Sequence, residues 1–236
     1  MTKILIVFLI VILYRWLFPR KLPTVLSIFF GVPGSGKTTK AAHLVKWALH
    51  ESWVITLCKK YPSKFSNLIL SSPCFKRMIP VYSNVPITGA YVLEPNEDIG
   101  HYMIVGAIVI IDEAGIQYNN RNFKSFPQEA LYWYKYFRHY ECSIFIFSQS
   151  YEDMDITLRR LAQYFYVVRK SIYPKFIACK KIRCKIGIDK MTHQPVTEYY
   201  FGFPILDTQW IFAPPLWKMF NSFSRKEYPQ KDWEVW

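Results

Sequence analysis

Val25-Leu26-Ser27-Ile28-Phe29-Phe30-Gly31-Val32-Pro33-Gly34-Ser35-Gly36-Lys37-Thr38 is the stretch on which the reading of this chain turns. Its first six residues are apolar apart from Ser27 and include β-branched Val25 and Ile28, a pattern typical of a strand buried on both faces. Gly31 to Thr38 then fits G-x-x-x-x-G-K-[ST] at every fixed position. Glycines at 31, 34 and 36 let the backbone curl until successive N–H groups face phosphate oxygens. A helix starting near Lys37 adds the partial positive charge of its amino end. From Thr38 to His50, residues Ala41, Leu44, Val45 and Ala48 share one helical face. Strand, glycine loop and helix together are the context that a phosphate cradle requires. Gly31, Val32, Pro33, Gly34, Ser35, Gly36, Lys37, Thr38 and Thr39 are therefore read as the residues that hold ATP. Lys37 can reach the β- and γ-phosphates, and the Thr38 hydroxyl can bind Mg²⁺.

A second apolar run, Ala107-Ile108-Val109-Ile110-Ile111, ends in Asp112-Glu113. Ligands of open α/β sheets sit beyond the carboxyl ends of the strands, where both acids fall. Asp112 is expected on the metal side, direct or through water. Glu113 is expected to polarise the attacking water. Gln149 follows a further apolar strand, and a neutral amide there can sense the γ-phosphate or orient that water. Arg138, Arg159 and Arg160 are candidates for an arginine finger, which neutralises charge on the transferred phosphoryl group, often from a neighbouring subunit.

The rest of the chain alternates. Strands are expected at Trp53–Cys58, Ile79–Val85, Ile104–Ile111, Ser143–Phe147 and Tyr164–Val168, with a basic irregular stretch over 59–78. Helices are expected over Pro127–His139 and over Asp153–Gln163, the latter capped by Asp153. Alternation of this kind implies a parallel sheet with crossover helices. After residue 170 the pattern becomes β-rich. The expected class is α/β, a P-loop NTPase sheet with flanking helices, an N-terminal membrane helix and a β-rich C-terminal extension. The corresponding divisions are 1–22, 23–170 and 171–236.

Residues 4–14 are uncharged and apolar, and Trp16-Leu17-Phe18 continue them after Arg15. The run is shorter than the ~20 residues of a typical span. Arg15 near its end can snorkel, and Tyr14 and Trp16 suit an interface. A single membrane anchor is the preferred reading, with a buried strand or helix as the rival. A cleaved signal peptide is disfavoured, because no small-residue cleavage site follows. The formal charge is +13, and residues 1–80 hold twelve Lys or Arg against one acid, Glu51. Such an excess attracts anionic lipid or nucleic acid, with a solvated basic surface as the equal rival reading. Basic residues after the run place the bulk of the chain on the cytoplasmic side. The five cysteines are scattered and odd in number, which argues for reduced thiols rather than a disulfide framework.

The ordered set of the phosphate loop, Val81-Tyr82-Ser83-Asn84-Val85-Pro86, Ile111-Asp112-Glu113-Ala114, Phe137-Arg138-His139-Tyr140, Phe147-Ser148-Gln149 and Asp155-Ile156-Thr157-Leu158-Arg159 resembles the Zot-like (zonula occludens toxin) family, which includes filamentous-phage assembly ATPases. The resemblance covers roughly residues 25–170. It implies a motor ATPase fold of the RecA/FtsK–HerA kind, with the strand before Gln149 lying between the two Walker strands. It also implies a ring, hexameric in expectation, at the host inner membrane, with phage coat or assembly proteins and single-stranded DNA as partners. The implied task is ATP-driven assembly and extrusion of a single-stranded DNA phage, with Lys37 and Thr38 on the nucleotide, Asp112 on magnesium, Glu113 on water and Gln149 on phosphate. The chain departs from family members that carry a membrane helix after the ATPase domain. Here the apolar run comes first, and Trp210 to Phe220 is broken by Pro214, Pro215 and Lys218. Rival readings are a DNA-packaging or DNA-transfer translocase, a small-molecule kinase, and a nucleotide-gated membrane scaffold.

Overall fold

The computed structural model describes residues 24–50, 53–71, 78–114, 128–152, 154–188, 195–204 and 206–221. In chain order these form β1 (Leu26–Phe30), α1 (Lys37–Leu49), α2 (Trp53–Lys60), α3 (Lys64–Ser71), β2 (Val81–Ser83), β3 (Tyr91–Val92), α4 (Pro95–Asp98) and β4 (Ile108–Ile111). There follow α5 (Gln128–Tyr136), β5 (Ser143–Ser148), α6 (Ile156–Leu161), β6 (Tyr164–Lys170), β7 (Phe176–Ile188), β8 (Pro195–Phe201), β9 (Thr208–Phe212) and a 3₁₀ turn, Pro214–Met219.

The described strands make one sheet in the order β3-β2-β4-β5-β1-β6-β7-β8, with β9 also paired to β7. Pairings from β3 to β6 are parallel, and β7 pairs antiparallel with β6, β8 and β9. The fold is mixed α/β with a parallel-dominated sheet. As expected, β5 lies between β4 and β1.

Alternation along β1 explains both cores. Leu26, Ile28 and Phe30 point into a cluster with Trp133 and Tyr134 of α5 and Leu158 of α6. Phe29 points the other way, onto Ala41, Ala42, Val45 and Ala48 of α1. Three alanines on that helix face let it approach the sheet closely, and Phe29 stacks on Phe147 and Tyr166 at 4.9 and 4.7 Å between ring centroids. Each fully buried Leu, Ile or Phe contributes roughly 1.5–3 kcal/mol. Strands after residue 170 continue this sheet, and Ile177, Ile211 and Leu216 pack into the α1 core. Lys40 of α1, buried, donates to Gln209 Oε1 of β9 at 2.6 Å and sits over the Phe29 ring.

Several expected elements change. Trp53–Cys58 is helical and runs on to Lys60. Its buried positions, Ile55 and Cys58, are three apart rather than alternate, and Lys59 and Lys60 favour the carboxyl end of a helix. The stretch expected to be irregular contains α3, whose first turn is tied by Ser63 Oγ accepting from Ser66 N at 3.0 Å. The strand expected from Ile104 begins only at Ile108, because Gly106 at φ 63° turns the chain and its N–H donates to Tyr140 O. The helix expected over Pro127–His139 is α5, and α6 is shorter than expected. Asp155, rather than Asp153, caps α6, accepting from Thr157 N at 2.6 Å; Asp153 and Pro127 lie outside the described residues. Among those residues no helix is long and apolar enough to cross a membrane. The expected N-terminal anchor, within 1–22, lies outside them.

Candidate active site

The loop 31–36 leaves the carboxyl end of β1 and enters α1. Gly34 and Gly36 adopt φ 73° and 102°, which glycine alone adopts without strain. A Cβ on Gly31 would meet Ser35 Oγ and the Val168 carbonyl, the latter at 2.7 Å, so the loop packs tightly at its start. The Gly31 N–H donates to Ser148 O at 3.2 Å, fixing the loop to the end of β5. The amino end of α1 has no side-chain cap, so its first N–H groups are open to an anion. Lys37 Nζ curls back over the loop and donates to Gly31 O at 2.6 Å. Among the described residues, buried Ser35 Oγ has no partner.

Across β5, β4 delivers the two acids. Asp112 is buried, 5% exposed, and its Oδ2 accepts from the Thr38 hydroxyl at 3.3 Å. Oδ1 accepts from the Glu113 N–H at 2.9 Å. Burial raises the Asp112 pKa, opposed by that N–H bond, by the Lys37 charge and by Thr38. Burial lowers the Lys37 pKa, opposed by Asp112 and Glu113. A buried carboxylate facing a hydroxyl and an open helix end fits a hard divalent cation held by oxygen ligands. Glu113 is exposed, at φ 53°, a left-handed backbone for a non-glycine residue.

The structure thus brings Gly31–Thr39, Asp112 and Glu113 to one end of the sheet. Gln149 is exposed one residue beyond β5, at the same end and beside Gly31. Arg159 stacks at 4.6 Å over the Tyr151 ring, two residues after Gln149, with its buried Nε unpartnered among the described residues. Arg160 is exposed on α6. Arg138 is not brought to the cradle. It lies in the turn before the amino end of β5, and that strand, at ~3.3 Å per residue, separates it from the loop. Within one chain Arg138 lies at the opposite end of β5 from the phosphate loop, so a finger role for it requires another copy.

Sequence reading gave no role to Asn84. Its Nδ2 donates to Asp112 O at 2.8 Å, and its Oδ1 accepts from Asp112 N at 2.7 Å. The signal available was a polar amide directly after the β2 strand.

A family model described as zonular occludens toxin (Zot) matches residues 94–186. The N-terminal domain of zonular occludens toxin from Neisseria meningitidis is similar at 18% identity and TM-score 0.51, covering 84% of this chain and 99% of that one. The genome packaging NTPase B204 from Sulfolobus turreted icosahedral virus 2, in complex with ATP-gammaS, aligns at 11% identity and TM-score 0.38, over 77% of this chain and 98% of that one. The flagellar accessory protein FlaH from Methanocaldococcus jannaschii aligns at 9% identity and TM-score 0.39, over 74% and 89%. No curated protein sequence matches. The Zot-like resemblance read from the motifs is therefore met by both the family model and the fold of the Neisseria domain.

Proposed function

We propose that this Zot-like chain is a membrane-tethered ATPase that powers assembly and extrusion of a filamentous single-stranded DNA phage. One observation carries the enzymatic part: the loop hydroxyl of Thr38 and the strand-end carboxylate of Asp112 meet at 3.3 Å, beside Lys37 and the uncapped end of α1. That is the donor set of a triphosphate with its metal.

In this reading the N–H groups of the loop and of the first turn of α1 hold the β- and γ-phosphates, and Lys37 leaves Gly31 O to join them. Thr38 and Asp112 would hold Mg²⁺, which when bound neutralises charge on the phosphates. Glu113, exposed on its left-handed turn, accepts hydrogen bonding from water and aligns it with the γ-phosphate. Gln149 stands on the neighbouring strand end to report whether that phosphate is present. Arg159 is held near the same loop, and Arg138, at the far end of β5, is available to an adjacent copy in a ring.

The membrane and phage parts of the proposal are supported by the apolar run at 4–14, the basic N-terminal third and the family likeness. Steady-state ATP hydrolysis by the purified full chain tests the whole. It is measured alone, with single-stranded DNA, and with anionic lipid vesicles. Turnover that needs Lys37 and rises with vesicles or DNA is expected. Absence of turnover under all three conditions overturns the motor reading and leaves a nucleotide-gated scaffold.

A further inference from the structure

We propose that Asn84 is the positioning residue of the metal-side carboxylate. Its side-chain amide holds both backbone polar groups of Asp112, and so sets where Asp112 and Glu113 point. The inference rests on the reading of Asp112 given above.

A carboxamide offers a donor and an acceptor in one plane, as a peptide group does. Asn84 uses both, at 2.8 and 2.7 Å, on the C=O and N–H of one residue. The regular ladder between β2 and β4 ends at Ser83 opposite Ile110. Asn84 N still reaches Ile110 O at 3.4 Å, and the side chain then supplies the next rung. Asp112, 5% exposed, is too buried for water to satisfy both backbone groups, and an unpaired buried N–H or C=O is destabilising.

The consequence falls on the chemistry. Asp112 Oδ1 is turned back onto Glu113 N, leaving Oδ2 toward Thr38. Glu113 sits at φ 53°, a conformation that is strained for a residue with a Cβ and persists when its surroundings fix it. A fixed Asp112 peptide is that surrounding. The loop bearing Asn84 is itself anchored, by Val85 N on Ser83 Oγ at 3.2 Å and by Thr88 N on Met219 O at 2.7 Å. The amide is therefore preorganised; alanine makes neither bond, and serine has one short hydroxyl for two tasks.

The test is a titration of the full chain with a fluorescent ATP-γ-S analogue, with and without Mg²⁺, alongside ATP turnover, for wild type, N84A and N84S. Without Mg²⁺, N84A should bind the analogue within about twofold of wild type. The Mg²⁺ concentration for half-maximal tightening should rise ~10- to 100-fold, as for loss of a partner behind a metal ligand. Turnover should fall in step and recover in part at high Mg²⁺. N84S should lie between the two, and it decides the matter if N84A does not fold. A variant that melts earlier but keeps the wild-type Mg²⁺ dependence overturns the proposal and makes Asn84 a structural stitch. A wild type whose binding ignores Mg²⁺ overturns the reading of Asp112 as well, an outcome visible before any variant is compared.

Discussion

The Thr38 hydroxyl donates to Asp112 Oδ2 at 3.3 Å across 74 positions of sequence. Thr38 lies in the first turn of α1 and Asp112 directly follows β4, two strands away from β1. Only the parallel order β4-β5-β1 puts both carboxyl ends on one side of the sheet, so the contact is a product of topology. A metal ion bound there would take both oxygens.

Lys37→Ala should weaken triphosphate binding by at least ~100-fold, since about 3 kcal/mol of charge-assisted hydrogen bonding is lost. Thermal stability should change little, because among the described residues the Lys37 ammonium donates only to loop carbonyls, Gly31 O and Val32 O. Equilibrium binding of a labelled nucleotide checks the first point, and a melting curve the second.

Glu113→Gln should leave nucleotide affinity within about threefold and lower turnover ~10²- to 10⁴-fold, the range of a positioned general base. Its side chain is exposed and makes no part of the core. Single-turnover hydrolysis, with binding measured on the same sample, separates the two effects. Equal hydrolysis by Glu113→Gln and wild type would reject the role.

Gly36→Ala and Gly34→Ala should differ although both glycines have positive φ. At Gly34 a Cβ meets nothing within 4 Å, so the cost is the left-handed backbone alone, about 1 kcal/mol. At Gly36 the Cβ would come within 2.7 Å of Ile177 Cγ2 at φ 102°, and ~2–3 kcal/mol is expected. Urea midpoints of the two variants give the comparison directly.

His43 makes stability depend on pH. Burial, with the charges of Lys40 and Lys46, lowers its pKa from 6.5 to about 4, and its Nδ1 has no partner among the described residues. The unfolded chain takes up a proton near pH 6.5, whereas the folded chain resists until about pH 4. Stability from this group is therefore full above pH 6.5 and is lost as pH falls toward 4. The loss at pH 4.5 is about 2 kcal/mol. His43→Gln should flatten that part of the pH profile, read from denaturant midpoints at pH 7 and pH 4.5.

The parts of the fold legible in the sequence are those with an uninterrupted physical signature. Leu26–Phe30, Ile108–Ile111 and Ser143–Ser148 are buried on both faces, so they appear as plain apolar runs. The glycine loop announces itself because its backbone angles exclude other residues. Trp53–Lys60 was not legible, since Val54, Ile55 and Thr56 suggest a strand while burial follows a three-residue spacing. Asn84 was not legible as part of the site, because its partner is a backbone 28 positions away. The distance of Arg138 from the loop follows from strand direction, which no local pattern states.

The most direct test of the central claim is an experimental structure of the chain with a nonhydrolysable ATP analogue and Mg²⁺. The account predicts the β- and γ-phosphates against the N–H groups of residues 34–38, Lys37 released from Gly31 O, and the metal between Thr38 and Asp112 with Glu113 facing the γ-phosphate. A nucleotide bound elsewhere, or bound at the loop with Asp112 and Glu113 turned away from its phosphates, would contradict it.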